Sequence, residues 1–206
     1  KKVIALSTDK ASNPVNLYGA TKLVSDKLFI AANNNTINST KFSVVRYGNV
    51  AGSRGSIIPF FLSLKKNDTY PITDKKMTRF LIKYEDAIDL VIHSIIDMEG
   101  GEIYVKKIPS VNVVDIAKAI NRNAQYKIIG IRPGEKLHEQ MISPEDSNYT
   151  YEYKNYYKIL PSINNWNKDT KRIKTGKKVK NGFAYTSLNN KNWLNISEIK
   201  KWIKSL

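Results

Sequence analysis

Val3-Ile4-Ala5-Leu6-Ser7-Thr8-Asp9-Lys10-Ala11, then Asn13-Pro14, then Leu17-Tyr18-Gly19-Ala20-Thr21-Lys22 is the stretch on which the fold turns. Val3 to Ser7 is a short apolar run ending in small polar residues, as buried parallel strands do. Asn13-Pro14 marks a turn. From Asn16 to about Asn33, Leu17, Ala20, Val24, Leu28 and Ala31 recur at three- and four-residue steps, which predicts a helix closed by the cluster Asn33-Asn34-Asn35.

Working outward, Phe42 to Tyr47 reads as a second buried strand. A glycine-rich loop follows, Gly48 to Gly55. Ile57 to Lys66 reads as a helix with Pro59 in its first turn, where proline is tolerated. Thr69 to Thr73 is a short strand. Tyr84 to Met98 is a helix opened by Glu85 and Asp86, with Ala87, Leu90, Val91, His93 and Ile95 on its inner side. Gly100-Gly101 closes it, and Glu102 to Val105 is a strand. Val111 to Asn121 is a helix, Tyr126 to Ile131 a strand and Arg132-Pro133-Gly134 a turn. Residues 148–192 are rich in Asn, Lys and Tyr and carry no readable period. Ile196 to Ile203 is a terminal helix. Strands alternating with helices indicate an α/β protein.

Composition narrows the chemistry. With no cysteine and two histidines in 206 residues, disulfides and thiolate or His-rich metal sites are excluded, and no metal is expected. The net charge of +16 is uneven. From Lys154 onward there are 13 of the 34 basic residues against two acids, Asp169 and Glu198. No nucleic-acid module accompanies this charge, so it reads as a solvated surface and no nucleic-acid partner is expected. No apolar run approaches the roughly 20 residues of a membrane span. The start is not a signal peptide, because Asp9 and Lys10 interrupt the apolar run. The expectation is a cytoplasmic protein without a membrane partner, whose chain starts mid-fold.

Tyr18 and Lys22 stand four apart, on one face of a helix. An ammonium beside a phenol stabilises the phenolate, and such a tyrosine can take a hydroxyl proton while the carbon is oxidised. Among 12 tyrosines a Tyr-x-x-x-Lys spacing also arises by chance, so its position matters: near the start of a helix, just after a strand ending in Ser7-Thr8. That order resembles the active site of the extended short-chain dehydrogenase/reductase family. The longer string from Ser7 to Lys22 resembles the nucleotide-sugar 4,6-dehydratases, and most closely the branch that inverts C5 of UDP-N-acetylglucosamine at the start of pseudaminic acid biosynthesis. The resemblance runs from Lys2 to about Ser143.

The resemblance implies the later part of a Rossmann-type parallel sheet plus a smaller α/β substrate-binding region. It assigns 1–50 and 84–106 to the first and 51–83 and 107–206, with the basic tail, to the second. The family's glycine-rich phosphate loop is expected before residue 1, so the 206 residues alone are expected to be inactive. Thr8, Asp9, Lys10, Tyr18 and Lys22 are the catalytic residues it implies. Tyr18 would take the O4 proton with Lys22 and Thr8 assisting. Asp9, if burial raises its pKa, would protonate the departing C6 hydroxyl; Lys10, its pKa lowered, would take the C5 proton. Read without the resemblance, Asp9-Lys10 is an ordinary turn at a strand end. Related dehydratases, including membrane-bound ones, tend to carry Met where Tyr18 stands.

Thr8, Tyr18, Lys22, Tyr47 and Asn49 would meet the cofactor, NADP with NAD as the alternative. Gly48, Gly52 and Gly55, with Asp68 further on, mimic a dinucleotide fingerprint, but the glycine spacing is off by one. The family reading instead places Lys10, Asn49, Ser53, Arg54, Gly55, Ser56 and Ile57 near the sugar nucleotide, Arg79 and Arg132 on its phosphates, and Glu135 on its ribose. Arg forks match phosphate oxygens, and a carboxylate accepts from ribose hydroxyls. His93 and His138 read as structural or solvent-facing. A UDP-sugar substrate and a homo-oligomeric full-length protein are implied. A UDP-sugar 4-epimerase, or an inactive sugar-nucleotide-binding fragment, are the alternatives.

Overall fold

The computed structural model describes residues 1–34, 40–65 and 69–206. In chain order the strands are β1 (Lys2–Thr8), β2 (Lys41–Tyr47), β3 (Asn49–Val50), β4 (Tyr70–Ile72), β5 (Thr78–Ile82), β6 (Ile103–Lys106), β7 (Ser110–Asn112), β8 (Tyr126–Ile128), β9 (Gln140–Ile142), β10 (Thr150–Glu152), β11 (Tyr156–Ile159), β12 (Lys177–Lys178) and β13 (Tyr185–Thr186). The α-helices are α1 (Leu17–Ala31), α2 (Ile57–Ser63), α3 (Tyr84–Asp97), α4 (Val113–Ile120), α5 (Thr170–Ile173) and α6 (Ile196–Lys204). Asn35, the expected helix end at Lys66, and Asp68 lie outside the described residues. No helix among those described is long and apolar enough to cross a membrane. The chain divides into two compact units.

The first unit comprises Lys1–Tyr47, Glu85–Lys107 and Gln140–Tyr185. Its six-stranded sheet has the order β1-β2-β6-β11-β10-β12. β1, β2 and β6 run parallel, with Ser7 opposite Arg46. β11, β10 and β12 extend the sheet antiparallel. The α/β class is therefore as expected, but the segment from Gln140 to Tyr185, assigned by sequence to the substrate region, groups with the first unit. Its tyrosine- and lysine-rich strands read as surface; Lys158 nevertheless sits wholly buried on Asp97, 2.9 Å away. Burial raises the Asp97 carboxyl, but hydrogen bonds from Lys174, Lys158 and Tyr104 outweigh it and leave the pKa at about 2.

The two long helices of this unit bury less apolar surface than their periodicity suggests. α1 has only Gly19 and Asp26 buried, while Leu17, Val24 and Leu28 are 80%, 58% and 64% exposed. α3 buries Ala87, Leu90 and Ser94; Ile95, expected on its inner side, is exposed, and Ser94 takes that place by donating to the Leu90 carbonyl at 2.7 Å.

The second unit comprises Gly48–Tyr84, Ile108–Glu139 and Thr186–Leu206. β3, β5 and β7 form one small sheet, and β4 and β8 pair in parallel. β3 interrupts the expected glycine-rich loop: it runs parallel to β5, with Asn49 opposite Leu81. Gly48 is required there, since a Cβ would lie 2.5 Å from the Phe80 Cβ. The core joins Ile58 and Phe61 of α2, Tyr70 and Ile72 of β4, Val113, Ile116 and Ala117 of α4, and Ile199 of α6. The helix expected from Val111 begins at Val113, because Ser110–Asn112 pairs with β5 and Asn112 caps Val114 at 2.8 Å.

Candidate active site

The first unit gathers Thr8, Asp9 and Lys10 at the end of β1. Thr8 closes the strand and caps a single 3-10 turn formed by Asp9 to Ala11, its hydroxyl accepting from the Lys10 amide at 3.3 Å. The same hydroxyl donates to Asp9 Oδ1 at 2.9 Å, and Lys10 Nζ donates to that oxygen at 3.1 Å. Asp9 is 0% exposed, and its Oδ2 is buried without a hydrogen-bond partner. Leaving one buried carboxylate oxygen unmet is costly, so Asp9 holds a spare acceptor within the site.

α1 is brought against this turn by the absence of one side chain. A Cβ on Gly19 would lie 2.3 Å from the Lys10 carbonyl oxygen and 3.0 Å from the Pro14 Cβ. The helix is capped by Asn16, whose side-chain oxygen accepts from the Gly19 amide at 2.8 Å. Tyr18, just before Gly19, and Lys22, three residues after it, thus flank this close approach of helix and turn. Tyr18 is 53% exposed. Lys22 Nζ donates to the Leu6 carbonyl at 3.1 Å, which ties the lysine to the strand that carries Thr8. Tyr47, at the end of β2, packs partly buried against Val45, Leu90, Met98 and Tyr104.

Sequence reading missed two charged residues of this unit. Asp26 on α1 and Arg46 on β2 form a buried pair at 3.0 Å, and Ser7 donates to the same Asp26 oxygen at 2.9 Å. The available signal was an aspartate four residues after Lys22 and an arginine inside an apolar strand run.

The second unit carries the residues expected on the sugar nucleotide. Asn49 lies on β3, and its Oδ1 is buried without a partner, as is Ser56 Oγ just before α2. Gly52 and Gly55 hold φ of +74° and +75°, shaping the turn in which Ser53 and Arg54 are exposed. Ile57 opens α2, partly buried. Arg79 is pinned on β5: its Nη1 donates to the Thr78 and Leu137 carbonyls at 2.8 and 3.3 Å, and its Nε lies 3.8 Å from the buried Glu139. His138 bonds the Thr78 hydroxyl through Nδ1 at 2.8 Å, and burial, aided by Arg79, lowers its pKa. Arg132 to Glu135 form a tight turn closed by a 3.0 Å hydrogen bond from the Glu135 amide to the Arg132 carbonyl, with Gly134 at φ +80°. Proline at the second position and a left-handed glycine at the third are the type II signature. The turn sets the two charged side chains 3.6 Å apart.

The polysaccharide biosynthesis protein family matches residues 1–161. The chain belongs to this family. Within it, the chain is 55% identical over 207 residues to the UDP-N-acetylglucosamine 4,6-dehydratase (inverting) of Campylobacter jejuni, a match covering 97% of this chain and 62% of that protein. It is 39% identical to a UDP-glucose 4-epimerase of Rickettsia bellii, over all of this chain and 62% of the relative. Among solved structures, Pen from Bacillus thuringiensis superposes over the whole chain with a TM-score of 0.85 at 30% identity, again over 62% of its own length. The chain thus spans less than two thirds of the relatives it matches. The family relationship read from residues 2 to about 143 extends over nearly the whole chain.

Proposed function

We propose that the intact protein is a nucleotide-sugar 4,6-dehydratase that removes water from UDP-N-acetylglucosamine with inversion at C5, opening a route to pseudaminic acid. The observation that carries this reading is the Asp9–Lys10 pair, fully buried on its acidic side and pressed against the helix bearing Tyr18. A 4-epimerase needs a proton acceptor at O4 but no second acid–base pair. The inverting relative at 55% identity supports the same choice over the epimerase at 39%.

The chemistry then follows from the residues. Tyr18 takes the O4 proton, assisted by Lys22 and Thr8. With C4 a ketone, the C5 proton becomes acidic. Lys10 removes it, its electron pair forms the C5–C6 double bond, and the C6 hydroxyl leaves with a proton from Asp9 as water. These roles need a neutral amine and a protonated acid. That state has the same proton count as the ion pair, and a single transfer along the 3.1 Å hydrogen bond from Lys10 to Asp9 produces it.

A nicotinamide cofactor, NADP in this reading, would take the hydride from C4 and return it to C6, while C5 regains a proton from solvent on the face opposite Lys10, which inverts that centre. The residues of the first unit suit it: Tyr18 stands open, Lys22 uses one of its three donors on Leu6, and Thr8 and Tyr47 close the strand ends. From the second unit, the unmet Asn49 Oδ1 suits a donor from a ligand. Arg54, Arg79 and Arg132 suit the diphosphate and Glu135 the ribose, with Ser53, Gly55, Ser56 and Ile57 along the sugar nucleotide.

The test is NMR of the product formed by the intact protein from UDP-N-acetylglucosamine. A 4-keto-6-deoxy sugar inverted at C5 is expected. Lys10→Ala should yield none, while absorbance of the reduced nicotinamide still appears. UDP-N-acetylgalactosamine without loss of water would establish the epimerase reading instead.

A further inference from the structure

Asp26, Arg46 and Ser7 form a buried polar cluster that no step above uses. The Asp26 and Arg46 side chains are 1% and 3% exposed. Asp26 Oδ2 accepts from both Ser7 Oγ and Arg46 Nη2, and Arg46 Nη1 donates to the Met141 carbonyl at 2.8 Å. Asp146 lies 4.0 Å from the guanidinium. Yet Asp26 Oδ1 and Arg46 Nε are buried with no hydrogen-bond partner. A pair left half-satisfied contributes little net stability, and apolar residues of similar volume serve the core equally well or better.

The placement of the cluster is more telling. Ser7 immediately precedes Thr8-Asp9-Lys10. Arg46 sits opposite Ser7 in register and immediately precedes Tyr47. Asp26 follows Tyr18 and Lys22 at four-residue steps, so the three share one side of α1. Apolar packing holds this helix only in part: its fully buried residues are Gly19 and Asp26, while Leu23, Phe29 and Ile30 are half-buried and Phe29 meets Phe42 edge-on near the far end. Hydrogen bonds are directional where apolar contacts are not. One carboxylate oxygen shared between the ends of two neighbouring strands therefore sets how far α1 is rotated about its axis and slid along it.

We propose that Asp26 and Arg46 are positioning residues. They hold α1 so that the Tyr18 hydroxyl and the Lys22 ammonium meet the sugar beside Asp9 and Lys10. This rests on the dehydratase reading above. It predicts that stability and catalysis separate when the cluster is replaced by packing alone.

The experiment uses the intact protein with Asp26→Leu and Arg46→Met combined, so that no unpaired charge is left buried. Its unfolding midpoint should stay near wild type. Its kcat should fall by on the order of 10- to 10²-fold, the effect of a displacement near 1 Å, with KM for UDP-N-acetylglucosamine within about twofold. Misplacing Tyr18 slows the C4 step in particular, so substrate deuterated at C4 should show a larger isotope effect on kcat than with wild type. Asp26→Glu, which keeps the carboxylate, should recover part of the rate. Should the double variant prove unstable, the isotope effect measured on Ser7→Ala, which removes one donor only, decides the matter. Wild-type kcat and isotope effect in a variant lacking the cluster would overturn the inference while leaving the dehydratase reading intact. Failure of the wild-type protein to form a 4-keto-6-deoxy product breaks that reading, and this inference with it.

Discussion

α4 and α1 each follow a strand in their own unit, and they are held by opposite means. Eight-residue α4 buries Val113, Val114, Ile116, Ala117 and Ala119 in an apolar core. Fifteen-residue α1 buries a glycine and an aspartate and leaves most of its leucines and valines outside. Apolar burial stabilises through area and tolerates small slips of position. A buried carboxylate with two donors, and a glycine against a carbonyl, tolerate almost none. The helix that carries Tyr18 and Lys22 has the intolerant kind of support.

The sharpest contrast comes from removing apolar volume on one side. Ile116→Ala should cost about 2–5 kcal/mol in urea unfolding, the range for emptying a buried aliphatic site, with kcat at moderate temperature nearly unchanged. Equal losses of stability and rate would erase the distinction between the units.

Adding a single methyl on the other side should do the reverse. Gly19→Ala places carbon 2.3 Å from a backbone oxygen, so helix and turn must part. About 3 kcal/mol of destabilisation is expected, the upper end for overpacking, and the activity loss should exceed what unfolding explains. Activity measured well below the melting midpoint separates the two.

Acid should single out the first unit. In the fold, despite burial, hydrogen bonds from Lys174, Lys158 and Tyr104 hold the Asp97 pKa down to about 2, below the 3.8 of a free aspartate. A depressed carboxylate stabilises above its unfolded pKa and loses that contribution as pH falls through the folded one. About 2 kcal/mol should therefore disappear between roughly pH 4 and pH 2. Asp97→Asn should flatten that part of the stability–pH curve; an unchanged slope would place the acid sensitivity elsewhere.

The smallest effect is the most direct check of the helix face. Leu28→Ala removes a side chain from a regular three–four repeat, yet one that is 64% exposed. A change within about 0.5 kcal/mol is expected, whereas a loss of 2 kcal/mol or more would put that stripe in a core.

These cases mark what the sequence could and could not disclose. The first strand, the capped start of α1 and the Ser7–Lys22 string were legible because local pattern and turn chemistry determine them. The inward face of α1 was not, since it depends on partners such as Arg46, twenty residues along the chain. β5 is not legible in Thr78-Arg79-Phe80, where a charged arginine stands between two buried residues. The strands from Thr150 to Lys178 hid behind tyrosine and lysine, whose burial needs Asp97 and the Tyr153 ring beside Lys158.

One end of the six-stranded sheet is β12, two residues long, and both are exposed lysines. An outer strand with free amides and carbonyls invites another chain to add itself. Here any newcomer would have to lay its backbone beside two ammonium groups, and a copy of the same strand would bring two more. Strand addition at this one end of the sheet is thereby opposed by charge rather than by shape. Two of the basic residues late in the chain thus discourage strand addition at this edge, an effect that weakens as salt shortens the reach of those charges.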